Sequence, residues 1–391
     1  MGEAAMDRGN LPQWHRDADR GLVVISANTF WNIKNFRSAL IDALVDEGWN
    51  VLVAAPDVDG AWAERRCADS AEIRIDRSGL NPLRDLALAA SYFWLMKRCR
   101  PKFFLGFTAK PNIYGAIAAR FSQVACLPNV SGLGTAFISP GPLSALVARL
   151  YRVAFARCPI VFFQNGDDRD LFVGRRIVQA GQARLLPGSG VDLDRFSPVS
   201  NEDPGEIRFL FVGRLLGDKG VREFAEAARL LRPDHRAWKF QLLGPIDEAN
   251  RSGVDQAELD RWVQDGTVEY LGQTDDVRPY IGASTAVVLP SYREGLPRSL
   301  LEAAAMARPL IATDVPGNRR IVEHGVNGLL CEARNAESLA QSMLAVGLME
   351  AGKKEAMGKA GREIVERSFG EQQVVRAYLD ALAQLQDGGR S

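Results

Sequence analysis

Short runs of Val, Ile, Leu and Phe alternate with helix-length segments along nearly the whole chain. LVVISA (22–27) leads into a helical segment through Ile33–Asp46 and then NVLVAAP (50–56). KFFLGF (102–107) leads into a helix from Asn112 and then VACLP (124–128). After CPIVFFQN (158–165) and one more helical piece comes LLPGSGVDLDRFSPVSNEDPG (185–205), a Gly-, Pro- and Asp-rich interval of the kind that joins domains. The rhythm resumes at IRFLFVG (207–213) and runs through KFQLLG, VEYLG, TAVVLP, PLIATD and GLLC, each followed by a helical segment. Strands alternating with helices predict parallel sheets covered by helices. The expected fold class is α/β, with two doubly wound, Rossmann-like domains facing across a cleft. The expected division is 1–190, 191–370, and a terminal helix in 371–391 that follows SFGE, has no strand after it and packs back across the first domain. No short-period repeat appears, which excludes a solenoid.

Composition supports this architecture: 391 residues at 47% hydrophobic content supply a core for each of two domains. The five cysteines (Cys67, Cys99, Cys126, Cys158, Cys331) are scattered, without zinc-site or disulfide-framework spacing, and suggest a reducing compartment. The polar N-terminus lacks the apolar core of a signal peptide, and no apolar run approaches the roughly 18 to 20 residues that span a bilayer. A cytoplasmic protein is expected. Net charge is zero but unevenly spread: Lys and Arg are in surplus over residues 1–190, Asp and Glu over the remainder. Between Leu86 and Gly166 there is no Asp or Glu, while Lys97, Arg98, Arg100, Lys102, Lys110, Arg120, Arg149, Arg152 and Arg157 lie there.

Ligands of open α/β sheets bind beyond the carboxyl ends of the strands, so functional residues are expected directly after strands. In FVGRLLGDKGV (211–221) a strand ends at Gly213, a loop carries Arg214 and Lys219, and a helix begins. Two cations beside a helix N-terminus suit a diphosphate; the alternative is a turn with two solvated cations. Gly244, ending KFQLLG, is assigned to the same site. In REGLPRSLLE (293–302) Pro297 suits the first helical position, so backbone N–H groups around Gly295 and Leu296 are expected to face the ligand. Glu294, ahead of that helix, can accept from sugar hydroxyls and Glu302, on it, from a ribose diol. Alternatively Glu294 complements the helix dipole and Glu302 is a solvated face residue.

FVGRLLGDKGV followed by SYREGLPRSLLEAAAMARPLIATDVPGNRRIVEHGVNGLL resembles the second domain of retaining glycosyltransferases of the GT-B architecture, the large family 4 group, and LPGSGVDLDRFSP resembles that group's interdomain segment. The resemblance spans about residues 150–390. It implies that Glu294 contacts the donor sugar, Glu302 the ribose, and Arg214 and Lys219 the diphosphate. ANTFWNIKNFRSALIDALVDEGWNVLVAAP, FTAKPNIYGAIAARF and NVSGLGTAF are similar to bacterial transferases that add a sugar, often an N-acetylhexosamine, to an undecaprenyl-diphosphate-linked saccharide. Relatives commonly place a histidine near the acceptor after a first-domain strand. Here His15, His235 and His324 lie elsewhere, and Thr108 and Lys110 follow the corresponding strand. Lys110 and Asn112 in FTAKPN, and Thr29, Trp31 and Asn32 after the first strand, are the acceptor-side candidates; a helix-capping Asn112 with a solvated Lys110 is the alternative.

The basic region adds a partner. SYFWLMKRCRPKFF mixes aromatics with Lys97, Arg98, Arg100 and Lys102, and LSALVARLYRVAFAR carries Arg149, Arg152 and Arg157 along one helix side. Aromatic bodies with basic flanks suit an anionic membrane surface, and the expected location is the cytosolic face of the inner membrane. No nucleic-acid recognition motif accompanies the patch. No cofactor is implied, and no metal site: the acidic pairs Asp57/Asp59 and Asp167/Asp168 do not stand at a donor-side strand end. The expectation is a retaining, metal-independent sugar transfer from a UDP-sugar. A GDP-sugar transferase, a nucleotide-sugar epimerase or hydrolase, and a non-catalytic binding module remain open at this point.

Overall fold

The computed structural model describes residues 20–76, 81–132, 142–199, 205–248, 250 and 252–387. The chain divides into two compact units, residues 1–189 with 372–391 and residues 190–371. The first holds a seven-stranded sheet of β1 (Leu22–Ser26), β2 (Asn50–Ala55), β3 (Asp69–Glu72), β4 (Phe103–Phe107), β5 (Ala125–Val130), β6 (Val161–Phe163) and β7 (Ala183–Leu185), ordered β3-β2-β1-β4-β5-β6-β7. The second holds six strands, β8 (Arg208–Val212), β9 (Lys239–Leu243), β10 (Glu269–Tyr270), β11 (Ala286–Leu289), β12 (Leu310–Thr313) and β13 (Gly328–Cys331), ordered β10-β9-β8-β11-β12-β13. Every pairing is parallel. The order reverses between β1 and β4 in one sheet and between β8 and β11 in the other. At such switch points the loops leaving two neighbouring strands run to opposite faces and leave a crevice.

Alternate strand residues serve opposite faces. Val24 packs with Leu88, Tyr92, Leu95 and Phe155 on one side of the first sheet, while Val23 and Ile25 pack with Leu40, Leu44 and Tyr378 on the other. The terminal helix Glu371–Asp387 buries Val374, Tyr378, Ala381 and Leu382 on that second face. Tyr378 sets its ring 4.7 Å from Phe162 and accepts a hydrogen bond from Asn129 Nδ2 at 2.8 Å.

Two local expectations are corrected, and one alternative reading, a helix-capping Asn112, does not hold. The segment through Ile33–Asp46 is two helices, Phe30–Phe36 and Ser38–Asp46, because Arg37 leaves helical geometry (φ −133°) and its guanidinium lies 4.0 Å over the Phe107 ring. Pro297 is extended (φ −73°, ψ 120°), so it precedes the helix, which spans Arg298–Ala305. Asn112 caps nothing: it lies inside a π-helical turn, Pro111–Gly115.

Candidate active site

At the switch point of the second sheet two loops meet. The one after β8 is pinned by backbone bonds from Gly213 N to Leu243 O (3.0 Å), Leu215 N to Pro245 O (3.0 Å) and Gly217 N to Ser252 O (2.6 Å). Gly244 has φ +145°, and a Cβ there would stand 2.0 Å from the Gly213 carbonyl oxygen, so this contact between strand ends requires glycine. A 3-10 turn, Gly217–Lys219, then delivers Lys219 just ahead of the helix Val221–Leu231. The loop after β11 is tied to it by Tyr292, whose N–H donates to Asp218 O (2.9 Å) and whose hydroxyl donates to Glu223 Oε1 (2.6 Å). Burial, then the Glu223 carboxylate, pushes the Tyr292 hydroxyl up to about 12. The Arg334 guanidinium lies 4.5 Å over the Tyr292 ring.

These ties bring Lys219 Nζ to 2.5 Å from Glu294 Oε1, with Glu294 largely buried and Lys219 part-exposed. Arg214 is half exposed and pairs with Asp247 at 3.0 Å. Glu302 is buried rather than solvated, and Arg298 Nε donates to it at 2.7 Å from the preceding turn. Burial raises its carboxyl above the ordinary range, against the opposing pull of Arg298. Leu296 is a core residue, so only its backbone is available to a ligand. Sequence reasoning missed Gly317, in the short helix Pro316–Arg319. A Cβ there would lie 2.5 Å from the Glu294 carbonyl oxygen, so glycine lets this helix back the Glu294–Gly295 turn.

At the switch point of the first sheet, Thr29 caps Phe30–Phe36 by accepting from Asn32 N at 3.1 Å, and Thr108, at φ +71°, accepts from Asn28 N at 3.1 Å. The two loops are thereby joined. Trp31 is exposed beside them, and Asn32 keeps a buried Oδ1 without a partner. Lys110 and Asn112 are turned elsewhere. Lys110 Nζ contacts Asp85 Oδ1 at 2.6 Å, where Tyr114 OH donates to Oδ2 at 2.8 Å. Asn112 is 1% exposed and donates to Asn129 O at 2.7 Å.

The family model "Glycosyl transferase 4-like" matches residues 22–165 and "Glycosyl transferases group 1" matches residues 206–347. The chain belongs to the family 4 glycosyltransferases of the GT-B fold. It is 26% identical to an N,N'-diacetylbacillosaminyl-diphospho-undecaprenol α-1,3-N-acetylgalactosaminyltransferase of Campylobacter jejuni, over 80% of this chain and 85% of that protein. It is 27% identical to a UDP-Gal:α-D-GlcNAc-diphosphoundecaprenol α-1,3-galactosyltransferase of Escherichia coli, over 68% and 71%. Among solved structures, sucrose-phosphate synthase of Thermosynechococcus elongatus superposes with a TM-score of 0.78 at 19% identity, covering 94% of this chain and 100% of that one. HepE of Anabaena, solved with UDP, gives 0.74 at 17%, covering 93% and 99%.

The basic residues of the glycosyltransferase divide by environment. Lys97, Arg98 and Arg100, at the end of the helix Pro82–Cys99, are exposed, as is Arg149 on the helix Pro142–Phe155. Lys102 and Arg152 are exposed as well but engaged: Lys102 donates to Arg20 O at 3.0 Å, and Arg152 to the Arg175 and Arg176 carbonyls at 2.9 and 3.1 Å, closing the helix Gly166–Gly174. Among the described residues no helix is long and apolar enough to cross a membrane. His15 and residues 133–137 of NVSGLGTAF lie outside the described residues.

Proposed function

We propose that this glycosyltransferase moves a sugar, an N-acetylhexosamine, from a UDP-sugar to an undecaprenyl-diphosphate-linked saccharide, with retention at the anomeric carbon, at the cytosolic face of the inner membrane. The observation that carries the reading is the Lys219–Glu294 pair at the β8/β11 switch point, a cation and a carboxylate held by loops that the fold locks together. A diphosphate offers Lys219 more negative charge than one carboxylate does. On donor arrival Lys219 moves to the phosphates and Glu294 is released to accept hydrogen bonds from the sugar. Glu302 holds the ribose diol. Arg214 and the Arg298–Ala305 N-terminus join Lys219 in stabilising charge on the departing diphosphate, so that no metal is required. Both named relatives act on diphospho-undecaprenol-linked sugars and both form α-linkages, and one is named for UDP-Gal. An α-linked sugar nucleotide gives an α-product by retention, which supports that stereochemistry. On the acceptor side Thr29, Trp31, Asn32 and Thr108 line the β1/β4 crevice, while Lys110 would have to leave Asp85 to take part.

The test is transfer itself. The purified chain is incubated with UDP-N-acetylgalactosamine, UDP-N-acetylglucosamine, UDP-galactose or a GDP-sugar and an undecaprenyl-diphosphate-linked saccharide, and the product's linkage is determined by NMR. The expected result is an α-linked product from a UDP-N-acetylhexosamine, with Glu294→Ala lowering kcat by about 10²–10³. Turnover from GDP-sugars alone, or undiminished turnover by Glu294→Ala, contradicts the reading.

A further inference from the structure

The helix Pro82–Cys99 is apolar on both sides. Its inner side gives Leu88, Tyr92, Leu95 and Met96 to the core. Yet Leu83 (78% exposed), Leu86 (68%) and Trp94 (65%) face solvent, with Ala87 and Ala90 exposed between them. At about 100° per residue these five positions share one arc of about 100°, and from Leu83 to Trp94 the stripe runs about 17 Å. The same arc continues into Lys97, and Arg98 and Arg100 follow. The helix Ala116–Ser122 packs alongside. Both helices lead into strands of one parallel sheet, β4 and β5, so both end at the same rim. There Phe121 (69% exposed) and Arg120 join Trp94 and the three cations.

We propose that this outer stripe is the membrane-docking element of the protein, seated in the headgroup region of an anionic bilayer. The proposal rests on the reading above that the acceptor is membrane-linked, and it names the surface that meets the lipid. Three observations select a bilayer over a protein partner. The stripe ends in an indole surrounded by cations, the arrangement that suits an apolar–water boundary over anionic headgroups. The segment that carries these cations, from Leu86 to Gly166, contains no Asp or Glu to oppose an anionic surface. A second copy docking on the same stripe about a two-fold axis would bring Lys97, Arg98 and Arg100 of both copies into one interface, where like charges oppose association. The docking also has a consequence for access. The start of the helix lies at the carboxyl rim of the sheet, tied there by the Asp85–Lys110 pair, so the β1/β4 crevice opens beside the lipid-facing stripe.

The experiment is co-sedimentation of the full chain with vesicles of phosphatidylglycerol and phosphatidylethanolamine, against phosphatidylcholine vesicles, at low and high salt. The wild type is expected to bind the anionic vesicles, less so at high salt. Leu86→Gln/Trp94→Gln is expected to lower that affinity about tenfold or more. Trp94→Phe should bind nearly as the wild type, and Leu348→Gln, an exposed leucine of the other unit, should change nothing. Because all these positions are exposed, melting temperature and transfer to a water-soluble short-chain acceptor should stay at wild-type levels in every variant. Undiminished vesicle binding by the double variant, equal binding of the wild type to phosphatidylcholine, or conversion of a dimer to a monomer by the double variant would each overturn the proposal. Failure of every protein, wild type included, to use the short-chain acceptor would instead count against the transfer reading.

Discussion

Lys219 Nζ and Glu294 Oε1 stand 2.5 Å apart as an ion pair, so each has a partner of opposite charge. Both were singled out in the sequence because each lies in a loop that follows a strand, β8 for Lys219 and β11 for Glu294. Lys110 and Asn112 follow a strand as well, yet their partners, Asp85 and Asn129, come from other elements, and no local pattern announces such pairings. Glu302 presents the opposite case: a residue that looks like a helix-face carboxylate and is buried. Its folded-state proton is held more tightly than in the unfolded chain, by burial. The stabilisation from that proton is therefore fully present below the unfolded carboxyl range of about 4.3 and is lost as pH rises through the higher folded value. Glu302→Gln removes this ionisation while its amide oxygen can still accept from Arg298. Denaturant unfolding should find the variant gaining on the wild type between acidic and neutral pH, whereas calorimetry should find UDP binding at least tenfold weaker. A variant that loses stability at neutral pH and keeps its UDP affinity would make Glu302 a purely structural residue.

At the scale of elements, apolar runs bounded by Gly and Pro identified the interior strands, β1, β2, β4, β5 and β6 in one sheet and β8, β9, β11 and β12 in the other. The edges of the first sheet were not legible, although VEYLG and GLLC marked those of the second, β10 and β13. DSAE (β3) and ARL (β7) carry too little apolar character to signal a strand and depend on a neighbour for their ladder. Nor does a helix-length pattern announce the break at Arg37, which exists because a guanidinium finds an aromatic face contributed by β4. The glycines at the strand ends were legible as candidates, but their physical reason is visible only in three dimensions. Gly244→Ala forces a methyl group against the Gly213 carbonyl, spreading the ends of β8 and β9 that carry the Arg214–Lys219 loop. It should destabilise the second unit by about 1–3 kcal/mol and raise the donor KM, measured by denaturant unfolding and steady-state kinetics. Unchanged values for both would show that the loop does not depend on this contact.

For the whole molecule, the two sheets repeat one plan, each with a strand pair where the order reverses, and Lys219 and Glu294 meet at that of the second. That plan accounts for residues far apart in sequence, such as Lys219 and Glu294, meeting at one place. A donor bound there acts on the second unit: at a hundredfold excess over its Kd it adds about 2.7 kcal/mol to the stability of the folded state. The most direct measurement of the central claim is UDP and UDP-sugar binding, by calorimetry, to the wild type, Lys219→Met and Glu294→Gln. If Lys219 is shared between Glu294 and the donor diphosphate, Lys219→Met weakens UDP at least tenfold. Glu294→Gln, which frees the lysine, binds UDP at least as tightly as the wild type while losing the extra affinity for the sugar. UDP affinity that is unchanged in Lys219→Met, or reduced in Glu294→Gln, would contradict the account.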